Sequence, residues 1–209
     1  MNGLEAIRPA GGDAREQSDI AALAKGGRTN VFGFLLRLVA RVPFLFVAGR
    51  IYGPDVLGRF ALAVLVVEFV AQVATLGLKR GLAAGLGQTE RPESHVVADA
   101  FAVTFIAAAI AVGALVAFPE AVFPNSSLNG LDRLLPLSIF ALSATDIALS
   151  ACAWRYDVGA TVRARAIVEP WTISIGAWLF SFYSLRDGLI LSYVSSVIAA
   201  LLEIGRAHV

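Results

Sequence analysis

The chain has 209 residues, of which 57% are hydrophobic and 16% are charged, and its mean hydropathy is +0.73. Soluble domains carry about 25% charged residues. A single hydrophobic core in a chain of this length could not bury so many apolar side chains, so a multi-pass membrane protein is predicted. The single cysteine excludes an internal disulfide framework, the two histidines give no basis for a metal site, and the net charge of +1 gives none for nucleic-acid binding.

Residues 1–28 form a polar N-terminal segment. They contain four acids, four bases and no apolar core. A signal peptide needs an early apolar region, so none is indicated. We predict a disordered cytoplasmic tail here.

The first apolar run, at about 30–52, carries Arg37 and Arg41 in its middle. An arginine at the centre of a membrane-spanning helix costs about 2.5–3.5 kcal/mol, so two cost about 5–7 kcal/mol. The twelve Val, Leu, Ile and Phe residues of 31–47 favour membrane insertion by roughly 4–7 kcal/mol in total. Because the sums nearly cancel, we expect both arginines to face an acidic partner or a hydrated cavity.

Further apolar runs continue along the chain, separated by polar connections. Their length and pattern predict helices rather than strands. A polar, glycine-rich connector is predicted at 79–94, and Glu169 is interpreted as a solvated carboxylate. The prediction is an all-α, polytopic integral membrane protein with about six transmembrane helices within 29–202; the alternative is five helices with a peripheral sixth run. The predicted helices lie at about 30–52, 57–78, 96–118, 134–154, 166–185 and 189–202.

Basic residues indicate the orientation. With the N-terminus inside, ten lysines and arginines fall in cytoplasmic segments and four in outer segments. This asymmetry favours a cytoplasmic N-terminus.

Polar residues recur at helical spacing within several runs. By helical rise, Arg41 and Glu68 lie near the same depth, and so do Arg37 and Asp146, which makes Arg41–Glu68 and Arg37–Asp146 candidate pairs. Two interpretations stay open. The charges either only hold helices together, or they line a substrate or ion pathway.

The sequence contains no catalytic constellation, so we predict no enzyme, no cofactor and no metal. The glycines of 81–87 lack the lysine and hydroxyl residue of a phosphate-binding loop. Membrane lipids are expected partners and nucleic acid is not.

The stretch 28–88 carries a set of short motifs. Arg28-Thr-Asn precedes the first helix; Arg50-Ile-Tyr-Gly-Pro-Asp-Val-Leu-Gly-Arg59-Phe-Ala joins it to the second; and Leu76-Gly-Leu78 followed by Arg80-Gly81 ends that helix. This pattern resembles the N-terminal portion of the polysaccharide flippases, which belong to the multidrug/oligosaccharidyl-lipid/polysaccharide exporter superfamily.

The resemblance implies one lobe of a two-lobed transporter in the bacterial inner membrane. Its expected activity is moving undecaprenyl-diphosphate-linked saccharide outward for polysaccharide or lipopolysaccharide biosynthesis, in contact with polysaccharide assembly proteins. The resemblance implies substrate-binding roles in the cavity for Arg37, Arg41 and, at its outer mouth, Arg59, because guanidinium groups bind phosphate oxygens bidentately. Glu68 and Asp146 are the candidate charge partners or coupling residues.

Residues 203–209, EIGRAHV, resemble the in-frame translation of a sequencing-adapter end. We therefore expect a truncated copy of a longer protein, with a genuine short C-terminus as the alternative. A cation-coupled drug exporter of the same superfamily, a membrane enzyme of polysaccharide assembly (a polymerase or ligase) and a non-transporting membrane subunit stay open as alternative functions.

Overall fold

The computed structural model describes residues 31–206 except 33, 89–90, 125–127, 129–130 and 156. The predicted tail 1–28, the start of the first predicted helix and residues 207–209 lie outside this part. Within it, every regular element is a helix, which confirms the all-α prediction.

Seven longer helices follow one another in the described residues, together with a short 3-10 helix at Pro119–Ala121. The first, α1, is α-helical at 31–32 and 34–47 and continues as a π-helix. The sixth, α6, changes from α- to π- and back to α-helical geometry without a break. The bounds are Ala48–Tyr52 for the π-helical end of α1, Pro54–Ala74 for α2, Leu78–Gln88 for α3, Glu93–Ala117 for α4, Leu134–Trp154 for α5, Val158–Thr161, Val162–Val168 and Glu169–Ser181 for α6, and Gly188–Arg206 for α7.

Helix α3 occupies much of the segment for which the sequence predicted a connector. Leu82 and Leu86 are buried four residues apart, which gives this short helix one apolar face. Its glycines obscure that pattern in the sequence, but one of them has a packing role. A Cβ on Gly87 would meet the Trp154 ring at 3.3 Å, so the glycine lets the indole lie against the helix.

A sharp turn separates α3 from α2. Leu76 and Gly77 both have positive φ, 49° and 75°, and the amide of Leu78 donates to the carbonyl of Thr75. Left-handed backbone at the end of a helix is a common stop signal, usually provided by glycine. The turn places Lys79 in the first turn of α3, beside α5.

Helix α5 lies at the centre of the bundle, packed against α2, α3, α4 and α7. Helix α1 is more peripheral: Ala40, Phe44, Ala48 and Tyr52 are buried at four-residue intervals, and most of its other apolar side chains are exposed. The Tyr52 hydroxyl donates to the Ala177 carbonyl at 2.6 Å and so joins α1 to α6.

Within the described residues, four helical stretches are long and apolar enough to cross a membrane. Many of their large apolar side chains face outward, among them Phe69, Ile110 and Leu202. This composition fits a membrane protein. The four stretches are Pro54–Gln88, Glu93–Ala117, Leu134–Trp154 and Gly188–Arg206.

Candidate functional site: a charged cleft

A cleft opens between α1, α2, α5 and α6 and continues beside α3. One cavity of about 590 Å³ lies toward α2, and a second of about 580 Å³ lies toward α3. We call the two together the charged cleft, because the same four ionisable residues line both. These residues are Arg37, Lys79, Asp146 and Arg165.

Asp146 forms the floor of the charged cleft and is only 4% exposed. Arg165 Nη2 donates to its Oδ1 at 2.9 Å, and Gln72 Nε2 donates to its Oδ2 at 2.8 Å. Lys79 Nζ lies 3.3 Å from the same Oδ2. A buried carboxylate needs such partners, because an uncompensated charge in an apolar interior is very costly.

Arg165 is held between two carboxylates. Besides Asp146, it donates through Nη1 to Glu169 Oε2 at 2.7 Å, one helical turn further along α6. Arg165 belongs to the π-helical segment of α6, and π-helical turns occur frequently at functional sites. Glu169 is buried, so its interpretation as a solvated carboxylate was wrong; the four-residue spacing to Arg165 was the available signal.

Glu68 lies on the α2 wall of the cleft and is exposed there. The hydroxyl of Tyr193, on α7, donates to Glu68 Oε1 at 3.1 Å. Among the described residues, no cation lies within ion-pair distance of this carboxylate.

Arg37 is half-buried and lines both cavities, whereas Arg41 is exposed and lines neither. The two pairs proposed from helical depth, Arg41–Glu68 and Arg37–Asp146, are not formed in the described part of the chain. Asp146 is paired instead with cations from two segments that the sequence predicts to be connections, the start of α3 and the first half of α6.

Arg59 lies near the opposite end of α2 and outside the charged cleft. It donates to both oxygens of Asp132, at 3.1 and 2.7 Å, and its guanidinium lies 4.2 Å from the centre of the Phe123 ring. The Asp132 side chain is fully buried. This bidentate pair holds the segment before α5 against α2.

The described residues contain no group of three histidine, cysteine or acidic side chains that could hold a metal ion. No family model, curated protein or solved structure matches the chain. The chemistry of the cleft and the sequence motifs are therefore the basis for a functional proposal.

The cleft contains more positive than negative groups. Its four basic residues are accompanied by the carboxylates of Glu68 and Asp146, which also line it, and by Glu169 behind Arg165. Within the described residues, Arg37 and Arg80 have no acidic group at ion-pair distance. An anion could therefore bind to them without first breaking a salt bridge. The basic residues are Arg37, Lys79, Arg80 and Arg165.

Proposed function

We propose that this chain forms one lobe of a transporter that moves a diphosphate-linked saccharide lipid across the bacterial inner membrane. The observation that supports it most is the charged cleft, where Arg37 offers an unpaired guanidinium between apolar helices. Such a group is costly in lipid and well suited to phosphate oxygens.

In this proposal the N-terminus is cytoplasmic, and α1, α2 and α4 to α7 are the six membrane-spanning helices. Helix α3 then lies at the cytoplasmic side with Lys79 and Arg80 at its start, where the head group of the lipid would enter. The motifs of 28–88, which resemble those of polysaccharide flippases, support the same activity. Asp146 would act as the charge partner of Lys79 and Arg165, and Glu68, which accepts from the Tyr193 hydroxyl, would be a coupling residue.

Arg59 has a different place in this account. Its bidentate contact with the buried Asp132 leaves little of the guanidinium available to a substrate. A role for Arg59 at an outer mouth would require that contact to open during transport. We therefore assign substrate binding in the charged cleft to Arg37 and not to Arg59.

The test is glycan export in cells that depend on the gene from which this chain comes. We expect Arg37→Ala to reduce export strongly, and Arg37→Ala with Arg41→Ala to abolish it, at unchanged membrane levels. Because Arg41 lies outside the cleft, its single variant should have the smaller effect. Arg50→Ala is the matched control, since Arg50 is an exposed arginine of α1 that does not line the cleft. Normal export by the double variant would refute the proposal.

A cation-coupled drug exporter is the second candidate, and the buried carboxylate of Asp146 is the observation in its favour. That carboxylate already has two cationic partners, which makes it a poor site for a further cation. Drug efflux that is lost in Asp146→Asn and unaffected in Arg37→Ala would favour this candidate over the flippase.

A further inference from the structure

Lys79 differs from the other basic residues of the cleft in how it is held. It lies in the first turn of α3, directly after the left-handed turn at Leu76 and Gly77. Its side chain is 45% exposed and borders both cavities. The ammonium group therefore reaches the cleft from a flexible four-carbon stem, with water access on one side.

The contact between Lys79 and Asp146 is the most replaceable of the three that Asp146 makes with side chains. At 3.3 Å it is longer than the contacts with Arg165 and Gln72. If Lys79 moved away, Oδ1 would still accept from Arg165 and Oδ2 would still accept from Gln72. Both oxygens of Asp146 therefore keep a hydrogen-bond donor when Lys79 departs. A buried oxygen without a donor, which would be the most costly outcome, does not arise.

Arg165 cannot move in the same way. Its side chain is only 15% exposed, and it serves Asp146 and Glu169 together. Its departure would leave Glu169 buried without a cation. Arg165 therefore positions Asp146, and Lys79 is the cation that can be exchanged.

From these contacts we infer that Lys79 is a phosphate ligand that stays paired with Asp146 until a phosphate-bearing group binds. When a phosphate-bearing group enters, the Lys79 ammonium leaves Asp146 and binds a phosphate oxygen, next to the guanidinium of Arg37. Asp146 thereby competes with the substrate for one cation and lowers the affinity of the cleft. This inference rests on the proposed function and names a binding residue that the sequence motifs do not indicate.

The experiment measures binding to the full 209-residue chain in lipid nanodiscs by titration calorimetry at fixed ionic strength. The two probes are inorganic pyrophosphate and farnesyl diphosphate, a short polyprenyl diphosphate. Lys79→Gln should weaken the binding of farnesyl diphosphate about tenfold, which is the size expected for one hydrogen bond between charged groups. Lys79→Arg should retain most of the affinity, and Arg91→Gln, at an exposed arginine outside the cleft, should retain all of it.

Asp146→Asn provides the decisive comparison. It removes the carboxylate that competes with the substrate for Lys79, so it is expected to tighten the binding of farnesyl diphosphate. Glu68→Gln is its matched control: it removes a cleft carboxylate that has no cation at ion-pair distance among the described residues, and so reports the general change in charge. We expect Asp146→Asn to tighten binding by more than Glu68→Gln does. In the Lys79→Gln background that extra gain should disappear.

The outcomes separate the two proposals. If the chain binds neither probe, both the proposed function and the role of Lys79 are overturned. If it binds farnesyl diphosphate but Lys79→Gln matches Arg91→Gln, only the role of Lys79 is overturned. Weaker binding in a correctly folded, monodisperse Asp146→Asn variant also overturns it. Tighter binding of farnesyl diphosphate than of pyrophosphate supports a lipid head group as the ligand. Equal binding of the two probes overturns the assignment of a lipid ligand and indicates a free phosphate compound.

Discussion

Replacing Arg165 by glutamine should destabilise this protein far more than replacing its neighbour Arg163. Removing one partner of a buried ion pair typically costs about 3–5 kcal/mol, because the other charge stays buried. Here Asp146 keeps Gln72 and Lys79, so the loss falls mainly on Glu169, which has no other cation at ion-pair distance among the described residues. We therefore place the cost near the lower end, at about 3 kcal/mol.

Thermal unfolding of the detergent-purified chain, followed by fluorescence, measures this cost. For a chain of this length, 1 kcal/mol lowers Tm by about 2–4 °C, so Arg165→Gln should lower it by about 6–12 °C. Arg163→Gln is the control: its partners lie at 3.7 and 3.9 Å on an exposed surface, where an ion pair contributes about 0–1 kcal/mol. Adding Glu169→Gln to Arg165→Gln should restore more than half of the loss, since no bare charge then stays buried. Equal Tm values for Arg165→Gln and Arg163→Gln would refute the reasoning.

Two further predictions concern contacts at the other end of the bundle. Gly188→Ala should lower Tm sharply, because the new Cβ would overlap the Tyr52 hydroxyl and lie 3.0 Å from the Phe180 carbonyl oxygen. Adding Tyr52→Phe to Gly188→Ala should restore part of the lost Tm. An unchanged Tm in this double variant would contradict the account. Arg59→Gln should lower stability by about 3 kcal/mol, since it leaves the buried Asp132 carboxylate without its guanidinium, and Arg59→Lys should lower it less. Urea unfolding of Arg59→Gln and Arg59→Lys measures the difference in their stability. Equal urea midpoints for the two variants would contradict an explanation based on the charge of residue 59.

Most of the helices could be predicted because a long apolar run with helical pattern has few alternatives. The predicted helix at 134–154 coincides with α5, and the helix predicted at 96–118 lies within a few residues of α4. Helix α3 was missed, because its apolar face consists of only a few leucines among glycines and basic residues. The start of α6 was missed for a related reason. Its basic residues indicate a polar connection between helices, and only the folded structure shows that Arg165 has the buried partners Asp146 and Glu169.

The charged cleft was only partly predictable. The cost of charges in apolar helices singled out Arg37, Arg41, Glu68 and Asp146, and all of these except the exposed Arg41 line the cleft. The partners of Asp146 could not be predicted, because they depend on which helices become neighbours after folding. Lys79 and Arg165 belong to segments read as cytoplasmic connections, so in the sequence they served only to indicate orientation.

Water access to the charged cleft tests the central claim most directly. Cys152 is the chain's single cysteine, so a Cys152→Ala background allows one reporter cysteine at a time. Leu65 lines the cleft and Val73, on the same helix, does not, although both are more than half exposed. In membranes, a charged, water-soluble maleimide should label Leu65→Cys rapidly and Val73→Cys slowly, and farnesyl diphosphate should protect Leu65→Cys. Slow labelling of Leu65→Cys, or labelling that the diphosphate does not affect, would contradict a hydrated, anion-binding cleft.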